Sequence, residues 1–534
     1  MVFRLAADRQ DCNADWMRTN AGVAFGGFVL LHLVVWTALP LIFTHALPLD
    51  LVEGVTWGQG WQLGYDQPPF QAWFLGAVDS LSGYQRWAVY LLSQILVGVS
   101  FFGVWRLARL IVSPLGALTS VLLLEGVPFF NFSTPNLFPD LIVMPFWALA
   151  GWSFYRALRF GRLLDWALLG LCLAGAAYAK YVSALLAAVM VGFMVVEPQA
   201  RRCWRSPGPY LCAGLCLLLL APHLWWAYEN SFPTVARFQL SAQPSVGALG
   251  WITALARFGA GQLAMLLLAG LLTVALGSGR RGEGRIPLAN VPASFDRHFV
   301  VTLALGPFLL AFVAAALSGL QFRLHWGMAM WCFIGLFAVV FLVPAVEAAG
   351  LRRFARGWAG VFLLAALFYG AANTFVSYAR QWKALVALGF PSQNSLRRVQ
   401  EEADFPAREL AAAITERWHE KVGDRLAYVV GKKWMIGVIS FFSPDHPLGL
   451  RIDVGEPQSP WIDTAQLRRQ GAIVVFDPSR NQDNAAAMLY ERFPMVEWQA
   501  PIVLPWHTGA ELAPLRIEWG ILYPAGWQVP KHSP

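Results

Sequence analysis

The sequence predicts a polytopic α-helical membrane protein that ends in a water-exposed α/β domain, and three observations carry that prediction. Hydrophobic residues make up 57% of the chain and charged residues only 13%, against about a quarter in an ordinary soluble domain. Long apolar runs recur through residues 1–377, and the mean hydropathy is +0.50. Residues 378–534 then change to a mixed, charged composition with short β-branched runs.

A membrane crossing needs about 20 apolar residues. Eleven runs qualify, near 21–43, 87–107, 114–130, 139–158, 164–179, 181–197, 209–228, 254–277, 299–318, 326–346 and 357–377. The stretch 164–197 also reads as one long bent helix, but Lys180 in its middle favours a turn at the surface. The run Ala21 to Phe43 is too long for the apolar part of a cleavable signal and is expected to stay as a span. Gly22 and Gly26 within it form a small-residue pair, which predicts close helix packing.

Orientation follows from where Lys and Arg fall. Arg4, Arg9 and Arg18, then Arg106 and Arg109, Arg156 to Arg162, Arg201 to Arg205, Arg280 to Arg285 and Arg352 to Arg356 occupy one set of loops. The other set holds little beyond Arg86, Lys180, Arg237 and Arg323. The first set is therefore expected to be cytoplasmic, with the loop 44–86 and the tail 378–534 outside. This clustering accounts for the net charge of +8 without a nucleic-acid partner.

The six cysteines are Cys12, Cys172, Cys203, Cys212, Cys216 and Cys332; their spacing suggests neither a disulfide framework nor a cysteine metal site. The run Gly277 to Gly282 formally matches a dinucleotide fingerprint, but it follows a membrane span, not a strand, and reads as a flexible basic loop. In the tail, 407–421 shows helical periodicity, while 426–431 and 472–476 read as buried strands.

Three places concentrate chemistry at membrane boundaries, where polar groups are costly unless a cavity or ligand accounts for them. The first is 49–73, LDLVEGVTWGQGWQLGYDQPPFQAW, with Asp50 and Glu53 three residues apart and Asp66 before the stiff Pro68–Pro69 pair. Its aromatic residues Trp57, Trp61, Tyr65, Phe70 and Trp73 suit a helix lying at the interface. The acids then either line an acid/base site or simply face water. The second is Asn131 to Asp140, where Asp140 opens a span either as a site acid or as a helix-dipole partner. The third is Lys180–Tyr181, with Arg323 and His325 on another outward turn. These cations either grip a phosphate at the membrane surface or snorkel and pack structurally.

Together with PDLIVMPFWAL, GAAYAKYVSALL and HLWWAYENSFPT, the first stretch resembles the GT-C superfamily of polyprenyl-phosphate-sugar-dependent glycosyltransferases. It is similar to bacterial relatives of protein O-mannosyltransferases and of lipid A aminoarabinose and core galacturonic acid transferases. The resemblance implies a GT-C fold of about eleven spans over 1–377 with the outward loop 44–86, followed by a periplasmic α/β domain over 378–534. It implies catalytic roles for Asp50, Glu53 and Asp140. It further implies substrate binding by Tyr65, Asp66, Gln67, Lys180, Tyr181, Arg323 and His325, with Lys180 on the donor phosphate. Gln67 departs from the basic residue that many members carry before the Pro-Pro pair.

The implied reaction moves a sugar from a polyprenyl-phosphate donor to a lipid A, core-oligosaccharide or other glycolipid acceptor at the periplasmic face of an inner membrane. Asp50 is the expected base. A carboxylate cluster suits a hard cation, so Asp50, Glu53 and Asp140 are also the candidate ligands of a divalent metal ion. The competing readings are a transporter or flippase of a lipid-linked saccharide, a protein O-glycosyltransferase, and a scaffold that binds cell-wall components.

Overall fold

Six helices of the computed structural model are long and apolar enough to cross a membrane: Ala21–Phe43, Arg86–Ile111, Pro139–Phe160, Gly208–Glu229, Ser294–Ser318 and Ala348–Arg380. Three further pairs pass the same test as bent spans, Tyr181–Val196 with Pro198–Arg205, Gly247–Met265 with Leu267–Gly277, and Leu324–Trp331 with Ile334–Leu342. The structure describes residues 20–278, 285–289, 293–381, 393–452, 459, 461–480, 489–491 and 493–527. Arg4, Arg9, Arg18, Cys12, Arg280, Arg281 and the end of the Gly277–Gly282 run lie outside them.

By length, therefore, the described residues give six to nine spans where eleven were expected. The difference lies at 114–130 and 164–179, which are the shorter apolar helices Pro114–Gly126 and Leu163–Ala179. Seventeen residues make only about 26 Å of helix, a little under the hydrocarbon thickness. The chain is nonetheless a polytopic helical membrane protein. Lys180 does break the 164–197 stretch: the helix stops at Ala179, Lys180 is extended, and a short turn leads into Ala184–Val196.

The chain divides into two compact units that do not follow the sequence boundary at 377. One comprises 1–37, 63–70 and 90–368; the other comprises 38–62, 71–89 and 369–534.

Within the first unit, burial forces polar groups into pairs. Fully buried His32 pairs with Glu125, and Asn131 Nδ2 donates to the other Glu125 oxygen at 2.9 Å. Arg156 binds Asp165 at 2.7 Å, and the Tyr155 hydroxyl donates to Asp296 at 2.8 Å. Gly22 and Gly26 contradict the packing expectation: a Cβ added at either meets nothing within 4 Å. The backbone approach occurs at Gly126, where an added Cβ would lie 2.5 Å from Ala269 backbone atoms.

The second unit is built on a mixed sheet. Leu448–Arg451, Tyr428–Gly431 and Ala472–Phe476 run parallel, and Leu515–Leu522 pairs antiparallel with the last of these. Glu497–Trp498 and Ile502–Leu504 both pair with Leu515–Leu522. The two strands and the helix Ala407–Val422 fall where the tail sequence indicates them. Helix Lys433–Phe442 connects two parallel strands, as a crossover must.

The loop 44–86, whose segments other than 63–70 also belong to this unit, is not a single interfacial helix. It forms two short helices, Leu49–Gly58 and Phe70–Ser82, because the turn at 59–69 contains Gly60, Gly64 and the Pro68–Pro69 pair. The helices touch backbone to backbone: an added Cβ on Gly58 would lie 2.7 Å from the Ala72 carbonyl, and one on Gly76 would lie 2.8 Å from the Gly58 carbonyl. Most of the expected interfacial aromatics face protein; Trp57 and Tyr65 are buried, while Trp61 is 55% exposed. Buried Arg86 donates to the Pro40 carbonyl at 3.1 Å and to the Thr44 carbonyl and hydroxyl at 2.7 Å, capping the exit of the first span.

Candidate active site

In the second unit, helix Leu49–Gly58 carries Asp50 in its first turn, after Pro48. The Gln71 side chain donates to the Asp50 carbonyl at 2.9 Å and ties this turn to the neighbouring helix. The Asp50 carboxylate is exposed and makes no hydrogen bond or ion pair among the described residues.

Glu53 lies one turn further on and points elsewhere. It is buried, and Oε1 accepts from Arg451 Nη1 at 2.9 Å and from Lys433 Nζ at 3.3 Å. Oε2 lies 3.4 Å from the same lysine. Arg451 ends one parallel strand and Lys433 begins the crossover helix, so both stand at the carboxyl edge of the parallel strands. That edge, beside a helix N-terminus, is where open α/β sheets generally take an anionic ligand. Here Glu53 fills the place. The sequence reading gave Glu53 a catalytic role; the structure holds it in a buried ion pair with Arg451 and Lys433.

Further contacts lay the same helix on the tail. An added Cβ on Gly437 would meet Val52 at 2.6 Å; Gln59 donates to the Pro447 carbonyl at 3.1 Å and accepts from Gly449 N at 3.3 Å. The Glu402 carbonyl accepts from His45 N and Ala46 N at 3.0 Å each. Burial, then the charges of Asp50 and Glu401, push the Glu402 carboxyl up to about 8. In helix Phe70–Ser82 burial alone pushes Asp79 up to about 8, and both of its oxygens lack partners among the described residues.

In the first unit, Asp140 opens helix Pro139–Phe160 and is buried. Lys180 Nζ donates to Asp140 Oδ2 at 2.6 Å, and His325 Nε2 lies 3.9 Å from the same oxygen. Lys180 also stands 5.7 Å from the Trp326 ring centre. Asp140 Oδ1 is buried with no partner among the described residues. The three residues that the sequence picked from separate turns thus meet, and Asp140 does more than favour its helix dipole. Lys180 is thus ion-paired with Asp140 where the sequence reading placed it on a phosphate.

Tyr181 belongs to a neighbouring relay. His223 Nδ1 bonds the Leu63 carbonyl at 2.6 Å, and a carbonyl only accepts, so that nitrogen carries the proton. Nε2 then accepts from the Tyr181 hydroxyl, also at 2.6 Å. The relay, with Tyr65 N donating to the Gln67 carbonyl at 3.0 Å, fixes the turn that presents Asp66 and Gln67. Gly64 is required there because the Trp226 ring fills the space of its missing side chain. Arg323 lies apart from these pairs, on the wall of a pocket shared with His325.

A resident divalent ion on Asp50, Glu53 and Asp140 does not fit these groups. Glu53 is occupied by two cations, and one Asp140 oxygen is already taken by Lys180. Among the described residues no three His, Cys, Asp or Glu side chains are arranged to hold a metal.

The partners Arg451, Lys433, Glu402 and His223 were not singled out by the sequence reading. His223 alone stood within a quoted motif, HLWWAYENSFPT.

Residues 66–226 match the dolichyl-phosphate-mannose-protein mannosyltransferase family. The chain is 26% identical over 346 residues to the lipopolysaccharide core galacturonosyltransferase RgtB of Rhizobium johnstonii, covering 61% of this chain and 67% of that protein. It is 26% identical over 298 residues to RgtA of the same organism, likewise a lipopolysaccharide core galacturonosyltransferase, covering 54% of each. The chain thus spans about half the length of RgtA. Mycobacterial arabinofuranosyltransferase AftD superposes with a TM-score of 0.48 at 13% identity, over 93% of this chain and 40% of AftD. The matched membrane segment and these relatives support a GT-C superfamily glycosyltransferase.

Proposed function

We propose that the chain transfers a sugar from a polyprenyl-phosphate donor to a lipid A, core-oligosaccharide or other glycolipid acceptor at the periplasmic face of a bacterial inner membrane. The observation that carries this is the state of Asp50: an exposed carboxylate without an ion-pair partner among the described residues, on a helix backed by a buried ion pair. The relatives, named for galacturonic acid transfer to lipopolysaccharide core, support a uronic acid as the sugar.

In this reading the acceptor hydroxyl oxygen attacks the anomeric carbon, the bond from that carbon to the phosphate oxygen breaks, and polyprenyl phosphate leaves with the electron pair. The hydroxyl proton passes to Asp50. A positioned base of this kind contributes about 10²–10⁴-fold. Asp140, Lys180 and His325 stabilise and orient the substrates by charge and hydrogen bonding, with the free Asp140 oxygen available to a substrate hydroxyl. Asp66 and Gln67 contribute binding from the relay-held turn.

The test is release of polyprenyl phosphate by purified protein given polyprenyl-phosphate galacturonate and lipopolysaccharide core. Asp50→Asn is expected to slow release by at least about 10²-fold. No release with any polyprenyl-phosphate sugar, or an Asp50→Asn protein as fast as wild type, overturns the proposal. The three bent helix pairs favour a second reading, movement of a lipid-linked saccharide across the bilayer. That reading expects translocation of intact donor by the same protein without release.

A further inference from the structure

One cationic pocket adjoins the residues used above and shares only His325 with them. It has a volume of about 510 Å³ and lies between the segments 241–258 and 321–325. Backbone pairing builds it: Ser245 N donates to the Gly319 carbonyl at 2.9 Å, Gln321 N donates to the Gln243 carbonyl at 3.0 Å, and Pro244 bridges Leu320. This pairing sets Gln243 and Gln321 side by side on the rim, with Arg257 and Arg323 also on the wall. Both guanidiniums are exposed, and among the described residues neither has an ion-pair partner.

Two like charges lining one pocket repel each other, and an anion between them relieves that cost. Arg156, by contrast, is paired with Asp165, and Arg106 and Arg109 lie against aromatic rings. The floor is apolar and aromatic. Phe258 meets Phe322 edge to face at 5.7 Å, and Phe322 meets Trp326 at 5.4 Å. Guanidiniums for an anion, amides for hydroxyls and rings for C–H faces are together the donor set for an acidic sugar.

Arg257 stands on helix Gly247–Met265, whose start is tied through Ser245 to Gly319 at the end of helix Ser294–Ser318, and Arg323 follows that end. His325 lines the pocket and also approaches Asp140, making one wall common to both sites.

We infer that Arg257 and Arg323 form a subsite for the carboxylate or phosphate of an acidic saccharide unit of the substrate, with Gln243 and Gln321 reading its hydroxyls. The inference rests on the transferase reading for its place in a reaction, but binding is measured without donor, so the two stand or fall separately. Protein in neutral-lipid nanodiscs is titrated with methyl galacturonoside, galactose 6-phosphate, methyl galactoside and inorganic phosphate by ligand-observed NMR. One or both acidic sugars are expected to bind at least about tenfold more tightly than the neutral sugar and than phosphate alone. Arg257→Gln with Arg323→Gln is expected to abolish that preference; both side chains are exposed, so folding is not at stake. Equal affinity for acidic and neutral sugars overturns the inference, as does a preference that survives the double substitution. Phosphate binding as tightly as the acidic sugars also overturns it, since the site would then read charge alone.

Discussion

Arg451 donates to Glu53 at 2.9 Å, joining positions 398 residues apart and fastening the helix that bears Asp50 to the mixed sheet. Lys433 supports the same carboxylate from 3.3 Å. Removing the guanidinium leaves a buried carboxylate with one longer contact. Arg451→Ala is therefore expected to lose about 3 kcal/mol of stability, while Glu53→Leu with Arg451→Met loses clearly less. Thermal unfolding in detergent with a double-mutant cycle checks this; a coupling energy near zero refutes it. Transfer is expected to fall in Arg451→Ala and return in Arg451→Lys, because Asp50 depends on the helix being held.

Asp79 and Glu402 set a pH dependence. Both carboxyls are raised to about 8 in the folded protein, Asp79 by burial and Glu402 by burial and then Asp50 and Glu401. Between about pH 4 and 8 the folded state holds protons that the unfolded state releases, so stability falls as pH rises. Each group contributes a slope approaching about 1.4 kcal/mol per pH unit. Chemical denaturation from pH 5 to 8 is expected to show a shallower decline in Asp79→Asn and in Glu402→Gln. An unchanged slope in both sinks the assignment.

Asp140 and Lys180 are expected to behave as a unit. Lys180→Met strands both Asp140 oxygens and Asp140→Asn strands a half-buried ammonium, so each single variant loses more stability than the pair Asp140→Asn/Lys180→Met. Transfer stays low in all three, since restored neutrality does not restore the oriented charge. Full activity in the double variant would contradict the role given to Asp140.

Gly58 and Gly76 offer a steric test. Alanine at either drives a methyl to 2.7–2.8 Å from opposing backbone, which cannot move as a side-chain tip can. A loss of about 1–3 kcal/mol is expected from each. Gly22→Ala, open to 4 Å on every side, serves as the neutral control. Circular-dichroism melts compare the three.

What was legible in the sequence was whatever is written locally. Lys180 between apolar runs marked a helix break, and the short apolar runs LAYVVG at 426–431 and AIVVF at 472–476 marked central strands. The meeting of Asp140, Lys180 and His325 was anticipated only as three separate boundary groups. Which carboxylate is free and which is consumed was not written there. Asp50 and Glu53 look alike at a spacing of three, and only a strand end and a helix start some four hundred residues later tell them apart. The Gly22–Gly26 pattern misled because a small-residue pair licenses close approach without requiring it; Gly54 and Gly58, at the same spacing, do provide it against helix Phe70–Ser82, as does Gly76 from the other side.

The loop segments 38–62 and 71–89 cluster with 369–534, and this has a consequence for anyone exchanging parts among relatives. A chimera cut at residue 378 would graft a foreign tail onto a helix whose counterions left with the old one. Swaps that carry both loop segments along with the tail keep the Glu53 cradle whole. The functional cassette is discontinuous in the gene, and recombination that ignores this should yield chains that insert in the membrane yet stay inert.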